Sequence, residues 1–293
     1  MTQKKPRFPA QVLPPPSALS PRPVPRPADR PFERSGERPV GGAAAVFSQA
    51  LAPLPTHMVR GQSAFATSNL GEFASASSQQ AARERMARRL MAIEGMHPAV
   101  IEAMRIVPRH AFIDSALIGQ AYEENSLPIG YGQTISKPTI VARMLSLIMY
   151  AYADHAGRIP GRILEVGTGC GYQAAVMSHL ATEVYSIERV RGLHERARDN
   201  LRPLRVSNLH LLFGDGMAGF ASGGPYSAIV SAAGGDAIPQ AWVDQLGMGG
   251  RIVAPTSTDG GRQVLIVVDK IPSGLRQQAL ETVHFVPLKS GVA

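Results

Sequence analysis

Between Ala81 and Glu94 helix formers dominate, and apolar Met86, Leu90 and Ile93 recur at helical spacing, which predicts an amphipathic helix. Pro98 opens a second, shorter segment in which Val100, Ile101, Met104 and Ile106 are apolar, and Pro108 closes it. From Phe112 to Lys137 the period breaks into glycines, Pro128 and short apolar pairs, so a loop-rich region is expected there. Helical spacing returns at Ile140, Val141, Met144, Leu145 and Ile148. Beyond it, strand-like runs are predicted at 162–166, 183–187, 209–213, 227–231, 251–254, 264–268 and 282–286. Helices are predicted between them at 172–181, 191–201 and 239–246. Strands alternating with helices imply an α/β fold with a doubly wound, mainly parallel sheet covered on both faces. Such sheets bind ligands at the carboxyl ends of their strands.

The chain before this pattern is different in kind. Thirteen of the 24 prolines fall in the first 55 residues, and a Gly/Ala/Ser-rich stretch follows from Gly41 to Ser78. Prolines remove backbone donors and the apolar content is low, so residues 1–78 are expected to be a disordered or locally polyproline II tail. Residues 79–293 are expected to fold, with 79–160 as a helical and loop region and 161–293 as a nucleoside-binding sheet. The formal charge of +8 is concentrated in the tail, where nine basic residues face four acidic ones. Nucleic acid is therefore an unfavoured partner for the mildly basic remainder. One cysteine, Cys170, excludes an internal disulfide framework, and no run is long and apolar enough to span a membrane. The basic start at Met1 to Arg7 lacks the apolar stretch of a secretory signal, so a cytoplasmic protein with no membrane partner is expected. A monomer is expected, although no residue pattern decides oligomeric state.

Candidate chemistry lies where the first strand meets its helix. Glu165-Val166-Gly167-Thr168-Gly169-Cys170-Gly171 places glycines where a backbone must turn sharply and approach a ligand. A dinucleotide fingerprint would need glycine at 172, which is Tyr172. Glu188 ends the second strand, where a carboxylate accepts from ribose hydroxyls, and Gly214-Asp215-Gly216 ends the third, where Asp215 would accept from an adenine amino group. Each feature alone reads equally as a turn or a solvated charge. Three of them at successive strand ends favour one shared nucleoside ligand. The eight histidines show no metal-ligand pairing, no metal is expected, and no G-x-S-x-G elbow is present. Cys170 reads as a small filler without a catalytic role.

The E-x-G-x-G-x-G spacing resembles motif I of class I methyltransferases. Upstream, Leu127-Pro128-Ile129-Gly130-Tyr131-Gly132-Gln133-Thr134-Ile135-Ser136-Lys137-Pro138 closely resembles the signature of protein-L-isoaspartate O-methyltransferases. Further similarities include Val107-Pro108-Arg109-His110-Ala111-Phe112-Ile113, Ala121-Tyr122, Ala232-Ala233, Ile238-Pro239, Gly249-Gly250-Arg251 and Phe285-Val286-Pro287-Leu288. The resemblance covers roughly residues 80–293. It implies a Rossmann-like class I fold, S-adenosyl-L-methionine as methyl donor with S-adenosyl-L-homocysteine as product, and isoaspartyl-containing proteins and peptides as substrates. It also implies that Ser136 and Thr134 serve catalysis and that Glu165, Gly167, Thr168, Gly169, Gly171, Glu188, Asp215 and Gly216 hold the cofactor. Ser136, followed by Lys137 and Pro138, also reads as a helix N-cap. The loop 112–137 and the segment 286–288 are expected walls of an open substrate cleft. Two other readings remain: a class I methyltransferase acting on RNA or a small molecule, and a non-catalytic nucleoside-fold protein whose tail holds a polyanion.

Overall fold

The structure, a computed structural model, describes residues 63–152, 157–258 and 260–293. Most of the expected Pro/Arg-rich tail lies outside them. Helix α1 (Ser63–Met91) begins well before the predicted start at Ala81, and the expected boundary at residue 79 falls inside it. No proline interrupts the chain between Pro55 and Pro98, and alanine and serine tolerate a helix once it is nucleated. Met86, Ala87 and Leu90 of α1 are buried among residues of α2 (Pro98–Ile106) and α3 (Pro138–Met149). The side chain of His97 caps α2 by accepting from the Ala99 amide at 3.2 Å.

The region expected as loop contains a hairpin, β1 (Leu127–Gly130) paired antiparallel with β2 (Gln133–Ile135). Its turn residues, Tyr131 and Gly132, both adopt positive φ, 53° and 67°, the conformation that matches a two-residue turn to strand twist. The cap residue of α3 is Lys137, which makes no side-chain cap bond, so the N-cap expectation for Ser136 is corrected. The first free amide is met instead by Glu124, whose Oε1 accepts from Thr139 N at 3.3 Å.

Strands β3 (Ile159–Val166), β4 (Ala181–Glu188), β5 (Leu209–Phe213), β6 (Tyr226–Ser231), β7 (Leu246–Ser257), β8 (Gln263–Ile271) and β9 (Gly274–Val283) form one seven-stranded sheet. The order is β5-β4-β3-β6-β7-β8-β9, with the first five strands parallel and β8 and β9 antiparallel. Alternate strand residues feed two cores, one on each face. Ile163, Ala228, Val230, Val253 and Val267 join the cluster beneath α1, α2, α3, α4 (Tyr172–Ser178) and α5 (Arg191–Leu201). Leu164, Val166, Ile229, Ile252 and Val268 pack with Trp242 of α6 (Gln240–Gln245) on the other face. The doubly wound class I architecture is thereby observed.

The strand predicted at 282–286 does not form as such, because β9 ends at Val283 and the chain leaves the sheet. Gln263 takes over the ladder with its side chain, accepting from Phe285 N at 2.6 Å and donating to Phe285 O at 3.2 Å. The last residues then cross the carboxyl ends of the parallel strands. Gly234 N donates to Val286 O, Leu288 N to Gly234 O, and Ala293 N to Arg189 O, at 2.8, 2.7 and 2.8 Å.

Candidate active site

A cavity of about 570 Å³ opens at those carboxyl ends. This is ordinary for a small-molecule site. Its floor is the glycine loop after β3, in which Gly167, Gly169 and Gly171 all have positive φ, 91°, 56° and 92°. At Gly171, which starts α4, a Cβ would also come within 2.9 Å of Leu201 Cδ1, so the close helix packing behind the loop needs glycine there.

Two carboxylates approach this loop from below. Glu188, at the end of β4 and only 5% exposed, accepts from Gly169 N through Oε2 and from Val190 N through Oε1, both at 2.9 Å. It is therefore a buried loop anchor that also faces the cavity, and a solvated strand-end charge is excluded. Glu165 is fully buried; its Oε2 accepts from Ser186 Oγ, and Ser186 Oγ lies 2.6 Å from Thr168 Oγ1. Glu165 Oε1 has no partner although the residue lines the cavity. Burial pushes the Glu165 carboxyl up to about 8, against the opposing effect of the Ser186 hydroxyl.

Thr134, Ser136, Glu165, Gly167, Thr168, Gly169, Glu188 and Gly216 all line the cavity. Gly171 and Asp215 are not on its wall. Asp215 is turned to the protein instead, its Oδ1 accepting from Met217 N at 2.8 Å and its Oδ2 from Gly291 N of the C-terminal segment at 2.7 Å. Gly216 is held in place by Trp242, whose Nε1 donates to its carbonyl at 2.8 Å. Cys170 is buried, and burial raises its thiol pKa.

A second cavity of about 200 Å³ adjoins the first, lined by Ser126, Lys137, Ile140 and the segment Thr282 to Val286 among others. Thr134, Ser136, Ala232 and Val286 line both. Of the residues expected to wall a substrate cleft, Ser126, Thr134, Ser136, Lys137 and Val286 line the smaller cavity, whereas Pro287 and Leu288 line only the larger one. Sequence reasoning missed Ser186 and the wall formed by Lys289 and Ala293. Ser186 sits at an inward position of a strand read only as hydrophobic, and the end of the chain has no local pattern.

The family model for protein-L-isoaspartate(D-aspartate) O-methyltransferase matches residues 82–293. A protein-L-isoaspartate O-methyltransferase from Leptothrix cholodnii is 56% identical over 213 residues, covering 72% of this chain and 74% of that protein. This chain belongs to the protein-L-isoaspartate O-methyltransferase family. Another relative of that name, from Methylibium petroleiphilum, is 56% identical over 212 residues, covering 71% of this chain and 77% of its own. A solved protein-L-isoaspartate O-methyltransferase superposes with a TM-score of 0.64 at 27% identity, over 72% of this chain and 67% of that one. A Plasmodium falciparum beta-aspartate methyltransferase, solved in complex with S-adenosyl-L-homocysteine, shares the fold at a TM-score of 0.61 and 24% identity, over 72% of this chain and 98% of its own. Residues 1–81 lie outside the family match.

Proposed function

We propose that this protein-L-isoaspartate O-methyltransferase initiates repair of isomerised aspartyl sites, with Ser136 and Thr134 at the point of methyl transfer. The observation that carries the placement is the junction of the two cavities, where these two residues share both walls. The larger cavity suits the methyl donor, S-adenosylmethionine. Its volume is that of a small-molecule site, its glycine loop leaves room for a ligand, and buried Glu188 together with an unpartnered oxygen of Glu165 offers acceptors to the ligand's ammonium and hydroxyl donors. When bound, this donor supplies a methyl group activated by attachment to a positive sulfur.

The acceptor is the free α-carboxylate of an L-isoaspartyl residue entering through the smaller cavity. An α-carboxylate has a pKa of roughly 3.5 and is ionised at neutral pH, so no general base is required. The protein's task is to aim and desolvate it. The Ser136 hydroxyl donates to one carboxylate oxygen and leaves the other free to attack, while Ile135, Val141 and Val286 exclude water from the junction. The methyl ester is then attacked by the following backbone nitrogen, which expels methanol, and hydrolysis of the succinimide returns some normal aspartate.

The deciding experiment compares two peptides that differ only in L-isoaspartate or L-aspartate at one position. Methylation of the first and not the second is expected, because charge and composition are identical and only carboxylate placement differs. Equal methylation of both would overturn the repair assignment, and an unaltered Ser136→Ala enzyme would remove Ser136 from the reaction.

A further inference from the structure

Arg109 opens a short 3₁₀ turn, Arg109–Phe112, and is 0% exposed. Taking a guanidinium out of water costs several kcal/mol unless a buried partner compensates it, and fully buried arginines normally face a carboxylate. Among the described residues, Arg109 faces none at salt-bridge distance. Its Nε donates to Ala121 O at 2.8 Å, its Nη2 donates to Ser136 O at 2.7 Å, and Nη1 has no partner. The guanidinium carbon lies 4.9 Å from the centre of the Tyr172 ring. Burial dominates and lowers the pKa of the group, while Tyr172, through space and through its nearby hydroxyl, together with Cys170 and Glu124 acts in the opposite direction.

These contacts come from three separate segments. Ala121 precedes the hairpin, Ser136 follows it, and Tyr172 is the first residue of α4, immediately after the glycine loop. One planar side chain therefore ties the strip carrying Ser136 to the loop that floors the larger cavity. A hydrophobic residue would fill the same space without the desolvation cost. What it would lack is the fork that holds two carbonyls at fixed angles and a positive charge directly behind the Ser136 backbone.

We propose that Arg109 is a positioning residue for methyl transfer, setting the spacing between the Ser136 strip and the glycine loop and favouring an anionic acceptor at Ser136. The inference rests on the reaction assigned above. It explains why a buried cation held by carbonyls and a ring is retained beside a site that receives a carboxylate. Geometry governs turnover, since a nucleophile held out of line loses rate more than binding, whereas charge governs acceptor affinity.

The test compares Arg109→Lys, which keeps charge without the fork, with Arg109→Met, which keeps bulk without charge. For each, kcat and KM on an isoaspartyl peptide are measured beside the S-adenosylmethionine dissociation constant. In the Lys variant kcat is expected to fall about 30-fold or more, with KM and cofactor affinity within about threefold of wild type. In the Met variant KM is expected to rise in addition, by about tenfold. A Lys variant with wild-type kcat overturns the proposal, as does cofactor affinity that falls in step with kcat, which marks a purely structural residue. Should both variants fail to fold, Tyr172→Leu removes the ring from the guanidinium without altering Arg109. The same kcat-weighted loss is expected, and unaltered turnover again overturns the role. Wild-type turnover in the same assay separates a failure of the assigned reaction from a failure of this role.

Discussion

Both oxygens of Glu188 are engaged by backbone amides, Gly169 N and Val190 N, so the residue shapes the glycine loop as well as facing the ligand. Glu188→Ala therefore leaves two amides unpaired and removes a charged acceptor from the cavity. Charge-assisted bonds of this kind contribute about 1.5–3 kcal/mol, so S-adenosylmethionine affinity should fall roughly 10- to 150-fold. Calorimetric titration measures it, and unchanged affinity would place the ribose elsewhere. Glu165 carries a different consequence. Its carboxyl, raised to about 8 by burial, holds a proton in the folded chain that it loses near the ordinary value of 4.5 when unfolded. Folded protein binds the extra proton, so its stabilising contribution is complete below about 4.5 and is lost as pH rises through about 8. The slope reaches about 1.4 kcal/mol per pH unit within that window. Glu165→Gln removes this slope while keeping an acceptor for Ser186. Urea unfolding of both proteins across pH 5 to 8 should show the wild type losing stability relative to the variant, and parallel curves would refute the assignment. At this scale Glu188 stood out by its place at a strand end beyond the glycine loop, whereas Ser136, Thr134 and Glu165 were singled out by the family resemblance. Arg109 was quoted within a motif but had no readable role, since the groups it meets, at Ala121, Ser136 and Tyr172, lie on later segments of the chain.

Element by element, the sequence was most legible where burial is two-sided. The parallel strands β3, β4 and β6 read correctly because both faces are packed and their apolar runs are nearly continuous, while β5, a half-buried edge, was found from its run Leu209, Leu211, Leu212 and Phe213. Strand β9 was misplaced because it is an edge, with residues 274–279 exposed and rich in Arg and Gln. Its ladder to β8 is reinforced by Asp269, which accepts from Arg251 and Arg276, a cross-strand arrangement that hydrophobic periodicity does not register. The hairpin β1–β2 was read as loop because its strands are short and its turn contains tyrosine rather than the usual Asn-Gly. The consequence for function is direct: Thr134 lies on β2 and Ser136 immediately after it, so the proposed acceptor site stands on a hydrogen-bonded ribbon pinned by Arg109, not on a free loop. The C-terminal segment was half legible. Val286 to Leu288 were expected as a wall, but the turn of Asp215 toward Gly291 depends on a tail whose sequence, Ser290-Gly291-Val292-Ala293, carries no pattern.

For the whole molecule, the open question is what the first 78 residues contribute, because the family match begins only at residue 82 and the positive charge is concentrated ahead of it. Helix α1 crosses that boundary; among the described side chains of α1 those buried in the core are Met86, Ala87 and Leu90, and Ala76, Ser77 and Ser78 are exposed. Arg83 and Arg89 add bonds to Ile106 O and Tyr122 O from the same C-terminal half. A chain starting at residue 79 keeps all of these contacts, and the residues just ahead of the cut, Ala76, Ser77 and Ser78, face solvent. Deleting residues 1–78 should therefore change stability by less than about 1 kcal/mol, which for a domain of this size moves the melting temperature by no more than roughly 4 °C. Turnover on a short neutral isoaspartyl peptide should stay within about twofold of the full chain, since among the described residues the lining of both cavities begins only at Ser126. Differential scanning calorimetry and a methyl-transfer assay on the truncated protein check the two expectations separately. A larger drop in melting temperature would show that the tail packs on the catalytic unit. A loss of activity at unchanged melting temperature would show that it takes part in substrate capture, and testing an acidic peptide alongside the neutral one would reveal whether its arginines are responsible.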